Sequence, residues 1–217
     1  MRILALEFSS DRRSVAVALA GAIRGRAAEA GGRESHPFRL IEIALREAGA
    51  GREQIEVLAV GLGPGSYNGI RSAIAVAQGW QLARPVRLVG VSSVACLAAQ
   101  ARASGLTGAV SCVVDAQRGE FYLARYQIAA DSIRETEALH LAPREEIVAC
   151  AAAGDALVGP TEPRGVPAFQ QHYPEAAILA QLAAARDDFV RGDALEPIYL
   201  RAAAFVKAPP PRAIPGI

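Results

Sequence analysis

Hydrophobic positions along the chain switch repeatedly between strand and helix periods. Ile3–Phe8 is an apolar run broken only by Glu7, the pattern of a strand covered on both faces. Ser9-Ser10-Asp11-Arg12-Arg13 is turn chemistry, and Ser14–Leu19 then alternates Val15, Val17 and Leu19 with alanines at strand period. After a turn at Gly21, Ile23–Ala28 reads as a weaker third strand, so the chain is expected to open with an antiparallel meander. Pro37–Ala48 sets Phe38, Ile41, Leu45 and Ala48 on one helical face, with Pro37 in the first turn and Gly49 at the stop. Val57–Leu62 follows as a buried strand and Gly63-Pro64-Gly65-Ser66 as a tight turn. Ile70–Leu82 is a helix ended by Pro85, Val86–Val91 a strand, and Ser92–Ala103 another helix.

Gly105–Gly108 interrupts the pattern and is read as a boundary between two lobes, 1–105 and 106–217. The opening logic then repeats. Val110–Asp115 is a strand, Gln117-Arg118-Gly119 a hairpin turn, and Glu120–Tyr126 a second strand. Pro143–Ala153 is helical, Ala156–Gly159 a short strand and Pro174–Arg191 a helix. Ala208-Pro209-Pro210-Pro211 is expected to be a mobile tail. Each half begins with a buried strand ending in an acid, Glu7 or Asp115, and turns into a second strand. Such a duplication suits two α/β lobes facing each other across a cleft, each a mixed sheet flanked by helices.

Composition narrows the function classes. Of 217 residues, 52% are hydrophobic but only 6% aromatic, so the core must be built from small side chains. The 23 Lys and Arg nearly cancel the 22 Asp and Glu, leaving no basic excess for gripping a phosphate backbone unaided. Cys96, Cys112 and Cys150 are widely spaced with no CxxC and read as reduced, buried thiols. Met1-Arg2 leads straight into a short strand, and charges interrupt every longer apolar stretch, so no signal peptide or membrane span is expected. The sequence reads as a soluble, cytoplasmic protein.

The most informative segment is Gly61–Leu82, where a strand feeds a glycine-rich loop and the loop feeds a helix. One reading is an anion site, since glycines let backbone N–H groups approach a phosphate at a helix N-terminus. The other is a tight turn with Ser66 or Asn68 as helix cap. No Gly-Lys-Ser/Thr follows, which excludes a P-loop, and no GxGxxG stands in a dinucleotide context. The helix after the loop is apolar on more than one face, with Ala73, Ala77 and Gly79 keeping it thin. Its second cover is either the Pro37–Ala48 helix or another protein chain. Glu7 and Asp115 end strands at the cleft, where a carboxylate can hold Mg²⁺ or water near a phosphate or simply be a solvated turn acceptor. His36, His140 and His172 form no pair at helical metal-ligand spacing, and no nucleophile elbow is present, so neither a metal site nor a catalytic set is expected.

These segments resemble the TsaB (YeaZ) family. Gly61–Ala83 is similar to its GxGPGSFTGxR signature, with Tyr67 and Asn68 where Phe and Thr are usual. Val89–Ser93, Val114–Tyr122, Glu196–Arg201 and Ile3–Glu7 resemble further family segments in the same order, although Glu7-Phe8 replaces the usual Asp-Thr of the opening. The resemblance implies a two-lobed actin-like, sugar-kinase-like (ASKHA) fold. It implies a non-catalytic subunit that binds the catalytic paralogue TsaD, with the ATPase TsaE joining. Such a complex transfers threonylcarbamoyl to N6 of adenosine-37 in tRNAs reading ANN codons. It also implies a homodimer when the chain is alone, and tRNA contact through the complex. The implied partner face holds Phe38, Ile41 and Leu45 of one helix with Ile70, Ala73, Ile74 and Ala77 of the next. Glu7, Ser9, Gly63, Gly65, Ser66 and Asp115 are the implied phosphate or nucleotide contacts, with ATP or ADP and Mg²⁺ at a complex interface rather than on this chain alone. The alternative from the same residues is a small ASKHA-fold ATPase or phosphotransferase.

Overall fold

The computed structural model describes residues 1–30, 36–166 and 168–201. The first sheet takes β1 (Arg2–Glu7), β2 (Arg12–Leu19), β3 (Ala22–Ala30), β4 (Val57–Gly61) and β5 (Arg87–Val91) in the order β3-β2-β1-β4-β5. β1, β2 and β3 pair antiparallel, while β4 and β5 run parallel to β1. The second sheet takes β6 (Gly108–Asp115), β7 (Glu120–Ile128), β8 (Ile133–Pro143), β9 (Ala156–Gly159) and β10 (Phe169–Gln171). Read from β8, its order is β8-β7-β6-β9-β10, the same topology with the same pairing directions. The duplication legible in the strand openings therefore extends over both whole sheets.

Strand alternation sorts each sheet into two cores. Leu4, Leu6, Val15, Val17, Leu58 and Val60 face α1 (Pro37–Ala48) and α2 (Tyr67–Ala83). Their sequence neighbours Ile3, Ala5, Ala16, Ala18, Val57 and Ala59 face α5 (Ala176–Ala184). In the second sheet, Val110, Cys112, Ala124 and Tyr126 pack on α3 (Ser93–Ala103), while Val113, Leu123 and Leu157 pack on α4 (Arg144–Ala152). The three cysteines are free and buried, and burial pushes the Cys96 and Cys112 thiols up.

Several expectations are corrected. α3 belongs by sequence to the first half but packs on the second sheet, and α5 packs back on β1 and β2 of the first. α3 and α5 also touch each other, so the two halves exchange their last helices. The described residues from 106 to 201 thus pack partly on the first half. Gly192 is held by Gln78 and Gln81 of α2, Ile198 donates to the Leu62 carbonyl, and Tyr199 stacks on Tyr67 with ring centroids 5.3 Å apart. Arg201 then reaches Glu120 and the Gln117 carbonyl of the second half, so this strap joins both halves. The Pro174–Arg191 helix stops at Ala184, and Val190 instead bridges Leu88. β8 and β10 were not expected from periodicity. The expected tail at Ala208–Pro211 lies outside the described residues. Among the described residues no helix is long and apolar enough to cross a membrane.

Candidate functional sites: the inter-lobe cavity and the α1–α2 groove

The sequence-predicted site residues separate into three environments. Ser9, Gly65, Ser66 and Asp115 line one cavity of about 420 Å³ between the halves, together with Tyr67 and Tyr199. Gly65 (φ +148°) is required because a side chain there would strike the Ser9 carbonyl. That carbonyl in turn accepts the Ser66 N–H at 2.6 Å. Ser66 caps α2, its hydroxyl accepting from Gly69 N–H at 3.4 Å. The helix-cap reading of this loop therefore holds. Asp115 is exposed, and its Oδ1 accepts the Gln117 N–H at 2.7 Å, closing the hairpin turn. The Ser9 hydroxyl is buried.

Glu7 and Gly63 are not at this cavity. Glu7 is fully buried at 0% exposure. Its Oε1 accepts the Ser9 N–H at 2.8 Å, and its Oε2 accepts the Ser93 hydroxyl at 2.9 Å. Ser93 Oγ also accepts the Gly63 N–H at 3.1 Å, and Gly63 carbonyl accepts Ser93 N–H at 2.8 Å. Glu7 is thus a structural knot joining the end of β1, the glycine loop and the start of α3. Sequence reasoning missed Ser93, whose signal was its place at the first turn of a helix following a strand end. Burial pushes the Glu7 carboxyl up, against the opposing effect of its hydrogen bonds from Ser9 and Ser93. A raised acid favours the folded state below the ordinary carboxylate range and loses that contribution as pH rises through the folded value. Glu7→Gln is therefore expected to gain stability relative to the parent as pH rises from about 4 to 7. Urea midpoints across that range measure this, and parallel curves would contradict it.

This cavity is lined by carboxylates rather than by cations. Among the described residues lining it there is no Lys or Arg, while Asp11 and Asp115 both contribute carboxylates. A polyphosphate there would meet like charge unless a cation on Asp11 and Asp115 offset it, and Glu7 is buried away from the cavity.

The predicted partner face also needs correction. Ile41, Leu45, Ile70, Ala73, Ile74 and Ala77 are buried in the first half's own core, each exposing 6% or less. α1 and α2 cover the sheet with these side chains, and Phe38, 63% exposed, is the member of the set at the surface. The opposite edge of the pair is a groove of about 380 Å³ whose lining includes Phe38, Ala75, Val76, Gly79, Trp80 and Ala83. Ala75, Gly79 and Ala83 recur every four residues on the exposed side of α2, and a Cβ at Gly79 would meet nothing within 4 Å among the described residues. Small residues at this spacing let another helix approach closely. Leu82, 90% exposed, extends the apolar surface. The Trp80 ring N–H is buried with no hydrogen-bond partner among the described residues.

Two sheets of identical topology, exchanging their last helices around a central cleft, define a two-lobed α/β protein of the actin-like, sugar-kinase-like (ASKHA) class. The family model described as "TsaD: tRNA N6-adenosine threonylcarbamoyltransferase" matches residues 35–163. The Escherichia coli K12 "tRNA threonylcarbamoyladenosine biosynthesis protein TsaB" is 35% identical over 152 residues, covering 68% of this chain and 64% of that protein. Its Haemophilus influenzae namesake is 28% identical over 95 residues, covering 44% and 39%. The chain thus aligns with less than two thirds of the length of either curated relative. Among solved structures, YeaZ from Pseudomonas aeruginosa is 28% identical with a TM-score of 0.77, covering 92% of this chain and 99% of that one. A second Pseudomonas aeruginosa structure, described as similar to peptidase YeaZ, is 30% identical with a TM-score of 0.76 over the same shares. The chain belongs to the TsaB (YeaZ) family.

Proposed function

We propose that this chain is a non-catalytic subunit of the machinery that forms threonylcarbamoyladenosine in tRNA, and that its α1–α2 groove receives a TsaD-type catalytic paralogue. The observation that carries this is the groove itself: a mainly apolar surface between Phe38 and Ala83, bordered by Arg52 and Arg84, with a small-residue row able to seat a helix. In this reading the complex modifies N6 of adenosine-37 in tRNAs reading ANN codons. TsaE-type ATPase and tRNA engage through the complex, and ATP or ADP with Mg²⁺ belongs to its junction. The same groove serves as a homodimer contact when the partner is absent. The cavity's two carboxylates, with no Lys or Arg among the described residues lining it, support a chain with no phosphoryl chemistry of its own.

The test is reconstitution with unmodified tRNA, the TsaD-type, TsaE-type and adenylate-forming proteins of the same organism, with and without this chain. Modification is expected to require the chain, and the chain alone is expected to turn over no ATP. Equal modification without it would overturn the proposal, and specific ATP turnover lost in Asp115→Ala would favour the ATPase reading.

A further inference from the structure

Away from both the cavity and the groove, three side chains of metal-ligating type converge where β8 meets α4. On a regular strand, residues i and i+3 point to opposite faces. Glu137 and His140 have that spacing, yet they share a face because β8 bulges. Leu123 pairs with His140 and Arg125 pairs with Glu137, so three steps along β8 oppose two along β7. Helix α4 packs over this side through Ile147, next to Glu146. His140 Nε2 lies 2.8 Å from Glu146 Oε1 and 3.7 Å from Glu137 Oε1. One ligand atom from each of the three lies within 4.8 Å of the other two.

The bulge also orients the imidazole. The carbonyl of Ala138, inside the bulge, lies 3.0 Å from His140 Nδ1. A carbonyl only accepts, so Nδ1 carries a hydrogen and Nε2 is the nitrogen presented to the two carboxylates. Glu137 is braced from behind, with Oε2 at 3.5 Å from an Arg125 Nη. Arg125 is itself fixed by hydrogen bonds of 2.8 and 3.0 Å to Asp155. An outer layer of this kind, a carbonyl on the far imidazole nitrogen and a cation on the far carboxylate oxygen, accompanies metal ligands generally.

We propose that Glu137, His140 and Glu146 bind one divalent transition cation of the Zn²⁺ class. One imidazole nitrogen and two carboxylate oxygens suit Zn²⁺ better than Ca²⁺ or Mg²⁺, which take oxygen ligands. Ligand distances of about 2.0–2.2 Å would draw the three atoms to within about 3.3 Å of each other, a side-chain adjustment. Coordination takes the lone pair of Nε2, so any proton there leaves to solvent, and no oxidation state changes. All three side chains are half-buried, so the site is reachable from solvent. A bound cation staples β8 to α4.

The test uses the metal-free full chain, titrated with ZnCl₂ by calorimetry and with Co²⁺ by visible absorption. One Zn²⁺ per chain is expected, weakened at least about 10–100-fold by His140→Ala and by the near-isosteric Glu146→Gln, and unchanged by His172→Ala. Zn²⁺ at about 100-fold its Kd should raise Tm by about 5–10 °C. The Co²⁺ spectrum of the unmodified chain should show d–d bands without thiolate charge transfer. No saturable binding at millimolar Zn²⁺, binding that survives both ligand substitutions, or a thiolate band pointing to the cysteines would each overturn the proposal.

Discussion

Ala77→Arg is expected to leave the chain unfolded or insoluble, whereas Gly79→Arg, two residues along the same helix, should leave the fold intact and abolish partner binding. Ala77 is 0% exposed within the core formed by β1, β4, α1 and α2. A guanidinium there has neither room nor a counter-charge, and the cost exceeds about 4 kcal/mol. Gly79 faces outward, with nothing near the position a Cβ would take. Arginine is a better helix former than glycine by roughly 0.5–1 kcal/mol, so Tm should hold or rise slightly. The same side chain fills the row on which a partner helix would lie, so affinity for a TsaD-type partner should fall at least about 100-fold, some 2.7 kcal/mol. Thermal melts and calorimetry with the partner measure both arms. Unchanged affinity in Gly79→Arg would move the docking face elsewhere.

Asp155→Ala is expected to destabilise the second sheet by about 2–3 kcal/mol, lowering Tm by roughly 4–12 °C. Asp155 is buried after the end of α4, where its carboxylate accepts the Ser111 hydroxyl at 2.6 Å and a two-point contact from Arg125. Removing it leaves Ser111 Oγ, at 0% exposure, without its acceptor. Arg125 is a third exposed and can rehydrate, which keeps the loss below that of a fully buried ion pair. Burial pushes the Asp155 carboxyl up, but the hydrogen bonds from Arg125 and Ser111 and the guanidinium charge outweigh it and hold it below the usual carboxylate range. An acid held low contributes stability above its unfolded titration range and loses it as pH falls through the folded value. The gap between parent and Asp155→Ala should therefore be full at about pH 7 and close below about pH 4, opposite in sign to the Glu7 effect. A gap independent of pH would mean that packing, not the charge, is what Asp155 contributes. The same substitution frees Arg125 from its anchor behind Glu137, so it should also weaken Zn²⁺ binding.

The helix over Pro37–Ala48 was legible to the residue, because Pro37 at its start and Gly49 at its end (φ +61°) are chemical punctuation that tertiary contacts do not override. The strand–glycine loop–helix unit was equally legible as a motif. β8 was not: its two bulges scramble the period on which strand reading depends, and its Arg134-Glu135-Thr136-Glu137 stretch is polar. The repeat could have supplied it, since β8 occupies the place in the second sheet that β3 occupies in the first. The Glu137–His140–Glu146 cluster escaped for the same reason, because i, i+3 on a strand reads as opposite faces until a bulge is known.

The sequence by itself determined the order of the elements other than β8 and β10, the duplicated strand-first plan and the family, since these depend on local periodicity and on turn residues with few alternatives. Only the tertiary structure decided which side of each element meets solvent. Glu7 and Asp115 end equivalent strands, yet one is sealed beneath Ser93 and the other closes an exposed hairpin. α2 has apolar residues on more than one face, and the sheet below it claimed Ala73 and Ala77, leaving Ala75, Gly79 and Leu82 exposed. Burial of that kind is set by contacts between segments far apart in the chain, and such contacts leave no period in the sequence.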